Sequence, residues 1–256
     1  MGIKQPDMFH GMVKDELAIE LIRAYEPPDG YYVAFSGGKD SVVILDLVKR
    51  AGVKYDAHYC VSPIDPPEIY KFIKEHYPEV IWDYHARGFW KLVVINGLPL
   101  RNRRWCCRII KEAGGEGRTV VVGNRRAEGA NRRNQNCFEG VKKSKKSTAI
   151  KKYLLRPIID WTSGDIWEYI ASNNLPYCSL YDEGMERVGC VLCPFKRNLK
   201  QETERFPKIV NNWKLAADRI VAERLSRGNI NKKTGKPYDK IYQSGGDLFN
   251  WWKNLK

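Results

Sequence analysis

The 256-residue sequence has no uninterrupted apolar run approaching the ~18–20 residues that a membrane-spanning helix needs. Its opening stretch, MGIKQPDMFHGMVKDELAIEL, is charged throughout and lacks the apolar core and small-residue cleavage site of an export leader, so a cytoplasmic protein is expected. Neither GxxxxGK[ST] nor GxGxxG occurs, which removes the Walker and dinucleotide readings of any phosphate loop. Histidine is scarce: His10, His58, His76 and His85 show no spacing that suits a metal or a catalytic pair, and no chemistry is assigned to them. There is no internal repeat. Acidic residues are in deficit, 30 against 44 lysines and arginines, leaving a net charge of +14 that favours an anionic partner such as a nucleotide or nucleic acid. Cysteine is present in an odd number, seven, which with no export signal argues for reduced thiols, some of them ligands, over a disulfide framework.

Short apolar runs alternate with helical spacing along most of the chain. VKDELAIELIRAY reads as a helix stopped by PPDG. YYVAFS precedes a helix over about 39–50, YDAHYC precedes PPEIYKFIKEHY, and EVIWDYH precedes GFWKLVVIN. RTVVVG runs into an arginine-rich loop, and LLRPIID precedes SGDIWEYIASNN. That alternation predicts an α/β fold with a doubly wound, mostly parallel sheet. After about residue 176 the pattern becomes turn-rich and cysteine-bearing, then helical with a proline break and a short aromatic end. The expected segments are an N-terminal helix (1–29), a nucleotide-binding domain (30–176), and a cysteine-bearing, helical extension (177–256). The polar, lysine-dense segment 137–152 is expected to be a mobile loop.

SGGKDS, Ser36 to Ser41, stands between the first strand and its helix, where an open α/β sheet places an anion cradle. Gly37 and Gly38 allow close backbone approach, the helix N-terminus favours phosphate, and Lys39 and Ser41 add a charge and a hydroxyl. GNRRAEGANR follows the strand RTVVVG and so opens at the same end of the sheet; its guanidinium forks suit phosphate or sulfate oxygens. Cys106 and Cys107 are adjacent, while Cys190 and Cys193 form a CxxC. Four thiolates from two such motifs can hold zinc or an iron–sulfur cluster, although adjacent ligands are awkward for a compact tetrahedral zinc site. Cys60, Cys137 and Cys178 read as packed thiols, with Cys137 also a candidate accessible nucleophile. Trp161 and Trp167 read as core residues beside a helix capped by Ser163, and Trp251 and Trp252 as the docking face of the last helix.

The ordered set SGGKDS, RWCC followed by Lys111, GNRRAEGANR, RPIIDWTSGDIWEYI and YDEGMERVGCVLCP resembles the phosphoadenosine phosphosulfate reductase family of the N-type ATP pyrophosphatase superfamily, over about residues 30–195. The resemblance implies an adenine nucleotide alpha hydrolase-like sheet. It also implies a pyrophosphate-binding loop of Ser36, Gly37, Gly38, Lys39, Asp40 and Ser41, with Asp40 a candidate Mg2+ contact. The G-x-R-x-x-E-[SG] pattern of the family falls on Gly123, Arg125, Glu128 and Gly129, with Arg132 beyond it. Lys39, Asp40 and Arg125 are the candidate catalytic residues. The cysteine arrangement resembles the [4Fe–4S] ligation of adenylyl sulfate reductases and of the sulfurtransferase subunit of DNA phosphorothioation systems, which assigns Cys106, Cys107, Cys190 and Cys193 as ligands.

Family members that cleave ATP between its α and β phosphates keep SGGKDS, whereas the dedicated sulfonucleotide reductases drift from it and use a cysteine in a C-terminal tail. This sequence has no cysteine after Cys193. The resulting expectation is an enzyme that uses ATP to adenylylate an acceptor and releases pyrophosphate for sulfur transfer to nucleic acid, DNA or tRNA, with a cysteine desulfurase as sulfur donor. The alternatives are a reductase of adenylyl sulfate or its 3′-phosphorylated form that makes sulfite, and a non-catalytic module binding nucleotide or nucleic acid.

Overall fold

The structure, a computed structural model, describes residues 3–4, 11–142, 147–196, 199–231 and 234–255. His10 and the centre of the lysine-rich stretch at 143–146 lie outside the described residues. The chain divides into two compact units that are interleaved in sequence, where the sequence reading drew contiguous segments. The first comprises Met1–Cys60, Pro67–Asp83 and Ala113–Gly189, and the second comprises Val61–Pro66, Tyr84–Glu112 and Cys190–Lys256.

The first unit is the expected α/β layer. Its strands are β1 (Tyr31–Ala34), β2 (Tyr55–Cys60), β3 (Ile81–Asp83), β4 (Thr119–Val121), β5 (Phe138–Lys142) and β6 (Ile150–Leu155), in the spatial order 3-2-1-4-6-5. All pairings are parallel except β5 with β6. The strand order reverses at β1, which pairs with β2 on one side and β4 on the other, so the turns after β1 and β4 flank the switch point where such sheets take ligands. Beside the sheet lie α1 (Lys14–Ala24), α2 (Lys39–Ala51), α3 (Pro67–His76) and α5 (Ser163–Ser172). The run Val42 to Leu45 with Leu47 and Val48 buries α2, and Gly52, at φ 70°, closes its C-terminus in the left-handed conformation.

Three expectations are corrected within this unit. Half of the segment read as a mobile loop is paired strand: β5 and β6 pair antiparallel from Phe138–Leu155 to Lys142–Ile150, with the Phe138 and Tyr153 rings stacked 5.4 Å apart. The strand read in LLRPIID starts earlier and stops at Leu155. Pro157 offers no N–H to a ladder, and turns close from Ile159 to the Arg156 carbonyl and from Trp161 to the Ile158 carbonyl. The cap of α5 is Thr162, not Ser163: its hydroxyl accepts from the Asp165 amide at 3.1 Å while the Asp165 carboxylate accepts from the Thr162 amide at 2.6 Å.

The second unit is helical, with α4 (Phe89–Asn96), α6 (Leu199–Arg205), α7 (Pro207–Leu225) and α8 (Gly245–Asn254). Pro207 opens α7, so the long helical pattern is broken at Phe206 as expected. Trp213 on α7 and Trp252 on α8 are fully buried with centroids 4.8 Å apart, and Phe89 and Trp90 pack edge-on against Trp213. The Trp252 indole donates to the Pro99 carbonyl at 2.6 Å, which gives that residue the docking role expected of it. Gly245 allows the close approach of α8 to α7, since a Cβ there would fall 2.0 Å from Asp218 Oδ1. Among the described residues no helix is long and apolar enough to cross a membrane.

The indole N–H of Trp213 is buried without a hydrogen-bond partner among the described residues. Trp213→Phe is therefore expected to cost little, under about 1.5 kcal/mol, because it removes an unpaired donor along with some packing. Trp213→Ala should cost roughly 3–5 kcal/mol. Urea denaturation of the two variants checks this; equal losses would mean that the indole N–H has a partner.

Candidate functional site

The SGGKDS turn is built by short polar contacts. Ser41 Oγ donates to the Gly38 carbonyl at 2.8 Å and accepts from the Ser36 amide at 3.1 Å, and Ser36 Oγ lies 3.2 Å from it. Gly37 sits at φ 72°, and a Cβ there would meet Ile69 of α3 at 3.0 Å, so both conformation and space select glycine. Gly38 is the N-cap of α2, which places Lys39 and Asp40 in its first turn.

Lys39 is 6% exposed. Its ammonium donates to the Glu186 carbonyl at 3.2 Å, lies 3.9 Å from Asp40 Oδ2 and sits 5.2 Å from the centroid of the Tyr181 ring. Burial lowers its pKa below the ordinary lysine value, with Asp40 opposing that shift. The Tyr181 hydroxyl accepts from the Lys39 amide at 2.9 Å, an oxygen on the first N–H of the helix where an anion would bind. Burial pushes the Tyr181 phenol up to about 12, so it remains protonated.

The loop after β4 is tied to this turn through Arg125, which is 3% exposed. Its Nε donates to Asp40 Oδ1 at 2.5 Å, Nη1 to the Trp161 carbonyl at 3.2 Å and Nη2 to Ser163 Oγ at 3.5 Å. Gly123 makes the approach feasible, because a Cβ there would press on the Asp40 backbone at 3.0 Å. Glu128 organises the rest: it accepts from the Arg125 amide at 3.0 Å, pairs with Arg132, and lies 3.7 Å from the exposed Arg187.

In the second unit Cys106, Cys107, Cys190 and Cys193 line one cavity, together with Ser62, Ile64, Phe89, Ile110, Lys111 and Trp213 among others. Cys107 begins a π-helical turn, Cys107–Lys111, an irregularity that recurs at functional sites. Cys190 and Cys193 are held by a strained loop. Leu192 takes φ 56°, and its amide donates to Glu202 at 2.8 Å, while the same buried carboxylate pairs with Lys196. The Cys106 thiol hydrogen-bonds Cys107 and, with Arg104 assisting, draws its pKa below the ordinary thiol value, while Cys106 itself is raised. Burial raises Cys190, against the opposing charge of Lys111, which pairs with the buried Asp65. Among the described residues no three His, Cys, Asp or Glu side chains are grouped to hold a single metal ion. The donor set is nevertheless four thiols around a mostly apolar cavity, the soft ligands that iron–sulfur clusters take, and a cluster holds its thiolates farther apart than one ion does.

The profile of the phosphoadenosine phosphosulfate reductase domain matches residues 30–196, well over half of the chain. The chain belongs to this family. An uncharacterised protein of Methanocaldococcus jannaschii is 32% identical over 214 residues, covering 77% of this chain and 42% of that protein. A second from the same organism is 29% identical, covering 70% and 46%, so the chain spans under half the length of these two relatives. An adenosine 5′-phosphosulfate reductase of Oceanobacillus iheyensis is 28% identical over 180 residues, covering 62% of this chain and 69% of that one. Among solved structures, Candida glabrata FMN adenylyltransferase in complex with ATP gives a TM-score of 0.50 at 16% identity over 75% of this chain and 70% of that chain, a likeness of fold.

Within this family member, the sequence-predicted residues form two groups. Ser36, Gly37, Gly38, Lys39, Asp40, Ser41, Gly123, Arg125, Glu128 and Arg132 meet in the first unit, and the four cysteines meet in the second. Arg125 contacts Asp40, the Trp161 carbonyl and Ser163 through Nε, Nη1 and Nη2, and Gly123 allows the close approach of its loop to the Asp40 backbone. Tyr181, the Glu186 carbonyl and Arg187 were not singled out; their only signal was membership of YDEGMERVGC.

A phosphate seated on the α2 N-terminus would raise the depressed pKa of Lys39 again. Binding should then take up a proton in the alkaline range, and nucleotide affinity should fall as pH rises through the free-protein value. Calorimetry in alkaline buffers of differing ionisation enthalpy checks this. Affinity that stays flat, with no buffer dependence, would mean that Lys39 does not face the anion.

Proposed function

We propose that this protein binds ATP at the SGGKDS turn, adenylylates an acceptor with release of pyrophosphate, and serves sulfur transfer to nucleic acid. The observation that carries this reading is that two cysteine pairs far apart in sequence line one cavity, in a chain whose SGGKDS turn is closed by its own hydrogen bonds. The acceptor oxygen would attack the α-phosphorus as the bond to the β-phosphate breaks, and pyrophosphate would leave carrying the bonding electrons. Lys39 and the amides of the turn would stabilise that charge, a preorganised electrostatic role. Asp40, through Oδ2 while Arg125 holds Oδ1, would help hold Mg2+, which when bound would offset phosphate charge. A sulfur nucleophile originating from a cysteine desulfurase would then displace AMP from the acceptor. Cys106, Cys107, Cys190 and Cys193 would hold a [4Fe–4S] cluster, which when bound supplies iron suited to carrying sulfur or electrons.

A second reading is supported by the relatives named adenosine 5′-phosphosulfate reductase: reduction of an adenylyl sulfate to sulfite. Sulfite formation with thioredoxin and no pyrophosphate from ATP would favour it. A non-catalytic nucleotide-binding module would bind ATP with no turnover under either assay.

Anaerobic purification with iron and sulfide analysis, followed by a pyrophosphate assay with and without DNA or tRNA, separates these outcomes. Lys39→Ala should reduce pyrophosphate release roughly a hundredfold with iron content unchanged. Cys190→Ala should lose iron while leaving ATP binding intact. Equal loss of both properties in both variants would contradict the assignment of nucleotide to one group and cluster to the other.

A further inference from the structure

The chain's charge is distributed unevenly between its two units. Of its 44 lysines and arginines, 22 fall in the second unit, together with only 8 of its 30 acidic residues. The first unit, which holds the phosphate loop and the arginine loop after β4, has 22 of each and is neutral. The entire excess of +14 therefore belongs to the unit that carries the four cysteines. The arginine-rich stretch 124–133 and the lysine-rich stretch 141–152 are offset in net charge by acidic residues of their own unit.

Close to the thiols this charge meets an exposed aromatic ring. Phe195, two residues after Cys193, is 44% exposed, an unusual position for a phenyl group beside a cavity lined by buried apolar residues. The turn that presents it is fixed from both sides: the Lys196 amide donates to the Cys193 carbonyl at 3.0 Å, and Arg101 Nε donates to the Pro194 carbonyl at 2.8 Å. The Arg104 guanidinium lies 4.9 Å from the Phe195 centroid, and the same side chain hydrogen-bonds Cys107 and reaches Glu112 at 3.2 Å. Arg101, Arg103, Arg104 and Arg108 are all exposed.

We propose that Phe195 with Arg104 is a stacking platform for an unpaired base of a single-stranded nucleic acid, whose phosphates are held by the surrounding arginines of the cysteine-bearing unit. This deepens the reading of nucleic acid as acceptor and rests on it. A flat ring with a guanidinium at hand stacks any base without reading its sequence, and exposed arginines supply a salt-sensitive grip on phosphate. An acidic protein would use the charge but not the ring, and a duplex keeps its bases stacked on one another. Both predict binding that does not depend on Phe195.

The test is fluorescence anisotropy with labelled single-stranded oligo(dT) and oligo(U) of equal length, a DNA duplex, and polyglutamate as competitor, over a range of salt. The proposal expects single strands to bind most tightly, with the better of the two sugars identifying DNA or RNA as the source. It expects Phe195→Ala to weaken single-strand binding about tenfold and leave duplex binding unchanged, and Phe195→Trp to restore it. Arg103→Glu should flatten the salt dependence by about one phosphate contact or more. Circular dichroism and iron content of each variant show that the fold and the thiol site persist. Equal binding of single strand, duplex and polyglutamate in both native protein and Phe195→Ala would overturn the platform, as would no binding at low salt. Loss of pyrophosphate release with stacking intact would instead overturn the nucleotide reading while leaving the platform standing.

Discussion

The first unit depends on one ion pair, Arg125 with Asp40. Asp40 occupies the first turn of α2, where the helix dipole favours a carboxylate, and Arg125 opens the loop after β4. Joining them at 2.5 Å ties the turns on either side of the switch point into one body. The pair leaves Gly123 no room for a side chain and fixes the backbone that carries Lys39. Because the guanidinium is buried, removing Asp40 leaves its charge without the carboxylate that Nε faces, which in such settings costs roughly 3–5 kcal/mol. The other contacts of the loop, from Glu128 to Arg132 and Arg187, elaborate a geometry that this pair sets.

The second unit solves a different problem. It must hold four thiols around an apolar cavity while carrying a large positive excess, and it separates the two demands by depth. Trp213, Trp252 and Phe89 build the interior, a π-helical turn and a strained CxxC loop bring the cysteines to it, and the arginines stay on the exposed side of the same short segments. Glu202 is the hidden member of this arrangement: a buried carboxylate that neutralises Lys196 and accepts the amide of Leu192. Through these two contacts it fixes the loop on which Cys190 and Cys193 stand.

Much of this was legible in the sequence, and the reasons are physical. Short β-branched and aromatic runs alternating with helical spacing gave the parallel sheet, and a glycine pair between YYVA and a helix marked the tight turn that leads into α2, because few other residues can make that turn. The misreadings came where tertiary context outweighs local composition. Polar, lysine-dense strands at a sheet edge look like loop, since only their pairing partner makes them strands, and so the β5–β6 hairpin was missed. That Asp40 faces Arg125, 85 residues away, is equally beyond what local sequence can show. Tyr181 was invisible for the same reason: a tyrosine whose hydroxyl meets a helix amide 142 residues distant has no local signature. The interleaving of the units and the segregation of their charge likewise emerge only after the chain has folded.

The most direct test of the account is a double-mutant cycle on Asp40 and Arg125 that reads ATP affinity by calorimetry in the presence of Mg2+. If the pair organises the phosphate loop, Asp40→Asn, Arg125→Gln and the double variant should all lose affinity to a similar extent, with a coupling energy of about 2 kcal/mol or more. Independent, additive losses, or undiminished affinity in Arg125→Gln, would contradict it.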